Sequence, residues 1–163
     1  MPSPSEALAL IPALYLLAVT WPLVVIDLRE HRLPNRLVLP AYPIALLAQL
    51  VASMVSMDWA RFLFAVLCAL TVLVIGIAAN YFDVLGMGDV KLAGALALVL
   101  GYFNLYLPIV AIGLAFVLAF GVIIVLMFKG KVKIGTSIPL GPYLLFSFIG
   151  TTSYWLVTHS AWS

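Results

Sequence analysis

Charge is what this sequence has least of. Of 163 residues only 9% are charged, eight basic and six acidic, while 66% are hydrophobic. A soluble domain carries about 25% charged residues because its surface must be solvated, so an ordinary water-soluble globule is excluded. The mean hydropathy of +1.23 agrees. Cysteine is nearly absent: with Cys68 alone, neither a disulfide framework nor a Cys-x-x-Cys zinc site can be built. Its position inside the apolar run 62–73 predicts a buried packing residue. The formal net charge of +2 is too small to suggest a nucleic-acid partner. No internal repeat and no low-complexity segment is present. What remains is a polytopic membrane protein whose residues 1–163 form a single membrane-embedded domain, with lipid as its principal surroundings.

A spanning helix needs about 20 mostly apolar residues. Six runs of this kind are present, at 8–26, 37–57, 62–82, 89–106, 107–128 and 138–157. They predict an all-α protein of six transmembrane helices. Pro12 and Pro22 interrupt the first run, and Pro40 and Pro43 stand near the start of the second; prolines are tolerated in spans where neighbours satisfy the freed backbone groups. Asp58, Trp59 and Arg61 read as a short interfacial turn. The first run lacks the basic n-region of a cleavable signal peptide, with no Lys or Arg before Arg29, and reads as a retained helix.

Orientation follows from the basic residues, which favour cytoplasmic loops. With six spans, the loops after helices one, three and five share a side. Those loops and their margins hold Arg29, Arg32, Arg36, Lys91, Lys129, Lys131 and Lys133, whereas the other side holds Arg61 alone. The asymmetry predicts a cell (inner or plasma) membrane protein with both termini outside and three cytoplasmic loops.

On that cytoplasmic side stand Asp27, Glu30, Asp83 and Asp89. Ionisable residues in or beside a span are costly and usually mark a pathway or a site. Asp27 closes the first apolar run; Asp89 opens the fourth, in Leu85-Gly-Met-Gly-Asp-Val-Lys-Leu. Both are expected near the same depth on different helices. Two carboxylates facing each other in a partly dehydrated site cannot easily both ionise. Such a pair can bind a water, the charged member acting as base and the protonated member polarising a carbonyl. Peptide-bond hydrolysis is the natural use. Gly86 and Gly88 lack a Cβ and let another chain approach closely. The plainer readings stand beside this one: an Asp at a helix boundary also serves as an N-cap, and Asp89 could cap the fourth helix. Asp83 reads as a boundary residue, Lys91 as a snorkelling or carboxylate-paired cation, and His31 as a solvated loop residue. Leu33-Pro-Asn-Arg-Leu and Ser137-Ile-Pro-Leu-Gly-Pro-Tyr-Leu resist regular helix at the same face. Irregular backbone of this kind is expected where it lines a cavity rather than lipid.

Three motifs occur in order: Asp27 followed by Leu33-Pro34-Asn35, then Gly86-Met-Gly-Asp89-Val-Lys91-Leu, then Ile138-Pro139-Leu-Gly141-Pro-Tyr143. In these the sequence resembles the type IV prepilin peptidase family, membrane aspartic peptidases with a Gly-x-Gly-Asp motif. The resemblance implies that Asp27 and Asp89 are the catalytic pair, working without a metal or other cofactor. It implies that Pro34, Asn35, Gly86, Gly88, Lys91, Pro139 and Gly141 shape the site or bind substrate. The substrates it implies are type IV prepilins and pseudopilins, which carry a short basic leader before an apolar helix, with pilus or secretion assembly components as further partners. Many bacterial members carry an N-terminal cytoplasmic insertion with paired Cys-x-x-Cys zinc ligands, associated with N-methylation of the cleaved pilin. This chain lacks that insertion, so peptidase activity without methyltransferase activity is expected. The compact form is similar to peptidases of tight-adherence pilus systems, and archaeal preflagellin peptidases are related in architecture. A rival reading from another class is a small ion- or solute-transporting protein using the same Asp pair; the placement of both carboxylates at one boundary, without a half-to-half repeat, argues against it.

Overall fold

The structure is a computed structural model that describes residues 3–130 and 139–162. Among these residues all regular structure is helical, in the order α1 (Pro4–Ala9), α2 (Ile11–Glu30), α3 (Asn35–Val38), α4 (Ala41–Ser56), α5 (Trp59–Tyr81), α6 (Met87–Gly101), α7 (Tyr106–Phe128) and α8 (Gly141–Trp162). Four stretches are long and apolar enough to cross a bilayer: Pro4–Glu30, Asn35–Ser56, Trp59–Tyr81 and Tyr106–Phe128. The protein is therefore a multi-pass, all-helical membrane protein. Two further long helices, α6 with 15 residues and α8 with 22, complete a bundle consistent with six spans.

The chain ends of these helices follow from local chemistry. Ser3 and Glu6 form a capping box around α1, the Ser3 N–H donating to Glu6 Oε2 at 2.9 Å and the Glu6 N–H to Ser3 Oγ at 3.3 Å. Leu10 interrupts the rod between α1 and α2. Helix α2 continues one turn beyond the apolar run and stops at His31, whose φ of 50° is left-handed. Asp27 thus lies inside α2 rather than at its end. Pro34 is the N-cap of α3, and Pro40 that of α4, so the second apolar run is a single turn followed by a longer helix. Helix α6 ends at Gly101, five residues short of the expected boundary, because 102–105 turn; there Asn104 Oδ1 accepts the Tyr106 N–H at 2.9 Å. Lys131, Lys133 and Ile138 lie outside the described residues.

Lipid gives helices no hydrophobic reason to associate, so small residues and interhelical hydrogen bonds must do it. The buried faces show both. On α7 they are Leu107, Pro108, Ala111, Ala115 and Ala119, on α5 Ala65, Ala69 and Gly76, and on α4 Ala41, Ala45, Gln49, Ala52 and Ser53. Large apolar side chains such as Trp21, Val74, Ile109 and Phe128 point outward, as a lipid-facing surface requires. Helix α6 is the exception: every residue from Leu92 to Gly101 is buried. It is the central post, with α5 lying along most of it. A polar seam joins it to α4, where the Tyr42 hydroxyl donates to the Lys91 carbonyl at 2.7 Å and Gln49 Nε2 to the Leu98 carbonyl at 2.9 Å.

The bundle has two chemically different ends. At one, Glu6 accepts from Ser3 and meets His159 at 3.0 Å and Arg61 at 3.7 Å, while Arg61 also pairs with Asp58 at 3.0 Å. The starts of α1 and α5 and the end of α8 are tied there. At the other end the last turn of α2, the 81–86 turn, the first turn of α6 and residues 139–141 converge.

Candidate active site

Asp27 is carried by the last full turn of α2 and is 3% exposed. Asp89 is the third residue of α6, whose N-cap is Gly86. The cap position is therefore not Asp89, and α6 begins without any side-chain cap bond. This leaves the Asp89 carboxylate in the first turn, where unsatisfied N–H groups and the helix dipole favour negative charge. Both carboxylates open into one cavity of about 680 Å³ and are close enough for charge repulsion between them. Asp27 Oδ2 and Asp89 Oδ1 are each buried without a hydrogen-bond partner of good geometry, although the Gly141 amide approaches the Asp27 carboxyl group as a donor. Buried polar oxygens are nearly always paired. Two unpaired ones, on the two carboxyl groups that line one cavity, set this end of the bundle apart.

The residues singled out from sequence fall into two groups. Gly86 and Pro139 line the cavity with the two carboxylates. Gly141 stands against Asp27, where any Cβ would overlap Oδ2. The other four lie in the collar around it. A Cβ on Gly88 would come within 3.1 Å of Leu33 Cβ and 3.3 Å of its backbone N, so this glycine allows the 31–34 segment to close over the start of α6. Pro34 starts α3, and Asn35 Oδ1 accepts from Lys91 Nζ at 3.1 Å. Lys91 is thus bonded to a carboxamide of the first motif, not to a carboxylate, and it joins the first and second motifs directly.

The cavity also has walls that the motifs did not reveal. Phe116, Ala119, Phe120 and Ile123 of α7 form one apolar side, at the 3- and 4-residue spacing that puts them on one helix face. His31, Asn80 and Asp83 supply polar groups. Asp83 is in a left-handed turn with φ 56°, and Asn80 Nδ2 donates to the Leu85 carbonyl at 2.7 Å, fixing the loop that delivers Gly86. His31 is exposed at the end of α2 and Asp83 exposed in the turn after α5, as expected, and both also line the cavity. Their signal in the sequence was only proximity to a motif. Among the described residues no three His, Cys, Asp or Glu side chains are grouped to hold a metal ion. Cys68, expected to be buried, is half-buried.

A helical membrane bundle with paired, unsatisfied carboxylates in a chamber at one end defines the class of protein in structural terms. Residues 14–129 match the model of the type IV leader peptidase family, and the chain belongs to that family of peptidases. The matched stretch contains Asp27 and the Gly86–Asp89 segment; Pro139 and Gly141 lie beyond it. No curated protein and no solved structure matches the chain.

Proposed function

We propose that this protein is a membrane aspartic endopeptidase that removes the short basic leader from type IV prepilins or pseudopilins. The observation that carries the reading is the meeting of Asp27 and Asp89 in one cavity, each with a buried, unpaired carboxyl oxygen. Membership of the leader peptidase family supports the substrate class. In the proposed reaction one carboxyl is charged and its partner holds the proton. A water between them loses a proton to the carboxylate as its oxygen bonds to the peptide carbon, while the carboxylic acid protonates the carbonyl oxygen. Breakdown of the resulting gem-diol returns one proton to the dyad as the amide nitrogen takes another and leaves as an amine. No metal takes part. Gly141 and Gly86 keep the space beside the two carboxyls clear, while Gly88, Leu33, Pro34, Asn35 and Lys91 hold the collar.

In this reading the excess of basic residues supports a cytoplasmic position for this end of the bundle in the cell membrane, with both termini outside. A basic leader is retained on the same face by the same rule, so the bond following it arrives at the depth of the dyad. Asp27→Asn and Asp89→Asn preserve shape but remove the acid–base function. Each should lower cleavage of a co-expressed prepilin by about 10²-fold or more while membrane insertion is retained. Asp58→Ala, at the opposite end of the bundle, should cut normally. Full processing by either Asn variant would refute the assignment.

A further inference from the structure

A second large cavity lies beside the carboxylate chamber. Helices α5 and α7 both lean on α6 but scarcely touch each other, leaving an apolar trough of about 690 Å³ with Val90 and Ala93 of α6 in its floor. Its α5 wall runs from Leu67 to Ala79, about 18 Å at 1.5 Å per residue, more than half the ~30 Å hydrocarbon thickness. At one end Leu85, Phe116 and Leu140 line both the trough and the carboxylate cavity. The two spaces are therefore neighbours, with these three side chains common to both.

Three properties identify the occupant. The trough is apolar along its length, so it takes a hydrocarbon or an apolar peptide segment. Ala79, Ala93 and Gly113 are among its lining residues, and such small residues let a helix backbone come close; a Cβ added to Gly113 meets nothing within 4 Å. Finally, the trough adjoins the cavity that holds the two carboxylates, which gives a lipid tail no partner but gives a polypeptide its point of cleavage. We propose that the trough between α5 and α7 docks the apolar helix of the substrate, with the bond to be cut held at the Leu85–Phe116–Leu140 end over Asp27 and Asp89. This inference rests on the leader peptidase reading and adds where the uncut helix lies. It also fixes polarity: the substrate helix runs away from the dyad, toward the end of the bundle marked by Glu6 and Arg61.

Gly113→Trp puts bulk into the trough from a position where the first side-chain carbon meets nothing within 4 Å. Gly121→Trp, on the same helix, also has open space around it and lines neither cavity, so it serves as the control. Two substrates separate docking from chemistry: a prepilin-like protein with its apolar helix in proteoliposomes, and a soluble peptide spanning the leader junction without that helix. Gly113→Trp should cut the full protein at less than a tenth of the wild-type rate and the soluble peptide at an unchanged rate, while Gly121→Trp cuts both normally. Undiminished cleavage of the full protein by Gly113→Trp overturns the proposal, as does an equal loss on both substrates. Failure of the wild type to cut either substrate strikes the peptidase reading instead. Docking is then read directly by a benzophenone amino acid at Ile109 in the Asp89→Asn background. Cross-links to the apolar helix of the prepilin-like protein support the trough; cross-links to lipid alone overturn it.

Discussion

Gly141 and Gly150 stand on the same helix and differ in what surrounds them. A Cβ at Gly141 collides with the Asp27 carboxyl, whereas one at Gly150 meets nothing within 4 Å. Gly141→Ala is predicted to reduce prepilin cleavage by tenfold or more, measured beside membrane insertion, because Asp27 must rotate or α8 must retreat. Gly150→Ala should leave cleavage unchanged and stabilise the helix by about 0.5–1 kcal/mol through propensity alone. Equal cleavage by the two variants would remove Gly141 from the proposed site. The two carboxylates were legible in the sequence because acidic residues are so few and because both stand at ends of apolar runs. Their plainer role as caps is set aside by position: Gly86 occupies the cap and Asp27 lies within a helix. His31 and Asp83 were not legible as cavity residues. Left-handed φ values at both positions turn the chain there; Asp and His are enriched among non-glycine residues at such φ, but the enrichment is too weak to locate a turn from residue type alone.

At the scale of elements, the central position of α6 decides what substitution costs. A Cβ at Gly94 would lie 2.6 Å from the Tyr42 hydroxyl oxygen and 2.7 Å from Leu73 Cδ2, wedging α6 away from α4 and α5 at once. Gly94→Ala is predicted to destabilise the detergent-solubilised protein by about 1–3 kcal/mol, the usual range for overpacking, seen as an earlier thermal transition. Gln49→Leu removes one interhelical hydrogen bond, the one to the Leu98 carbonyl, so a loss near ~0.6 kcal/mol is expected, the average for such bonds in membranes. A larger fall for Gln49→Leu than for Gly94→Ala would contradict this ordering. Length and hydropathy gave the existence of α4, α5 and α7 because those elements are uniformly apolar. The same uniformity hid the α7 wall of the chamber: Phe116, Phe120 and Ile123 look no different in sequence from the side chains facing lipid. Boundaries failed where a polar residue continued a helix, as at Asp27, or where a turn sat inside an apolar run, as at 102–105.

For the molecule as a whole, the sorting of charge along the bundle axis is the main constraint on orientation. Glu6, Asp58, Arg61 and His159 are drawn together at one end, which also brings the beginning of α1 and the end of α8 to the same side. Single cysteines in a Cys68→Ser background test the proposed topology. A membrane-impermeant maleimide should label Met57→Cys in intact cells and Arg32→Cys only after permeabilisation; both native side chains are largely exposed. Labelling in the reverse order would invert the protein and place the carboxylate chamber outside. The proposed sidedness rests on the basic residues alone. The pairing of the two ends of the chain was not legible in the sequence, because it depends on a buried glutamate 153 positions from its histidine partner.

The 15 residues of α6 span about 22 Å, while the 23 residues each of α5 and α7 reach about 34 Å. The post that carries Asp89 is thus shorter than the ~30 Å bilayer core it stands in. Helix α6 is enclosed by its neighbours from Leu92 to Gly101, so lipid meets the longer helices and the shortness of the post is made up by protein, by the 102–105 turn at its far end and the 81–86 turn beside the dyad. Bilayer thickness is then not what brings water to the carboxylates. Cleavage in vesicles should stay within about twofold as lipid acyl chains lengthen from about 16 to 20 carbons, and a steep fall would show that the chamber depends on thinning of the lipid around it.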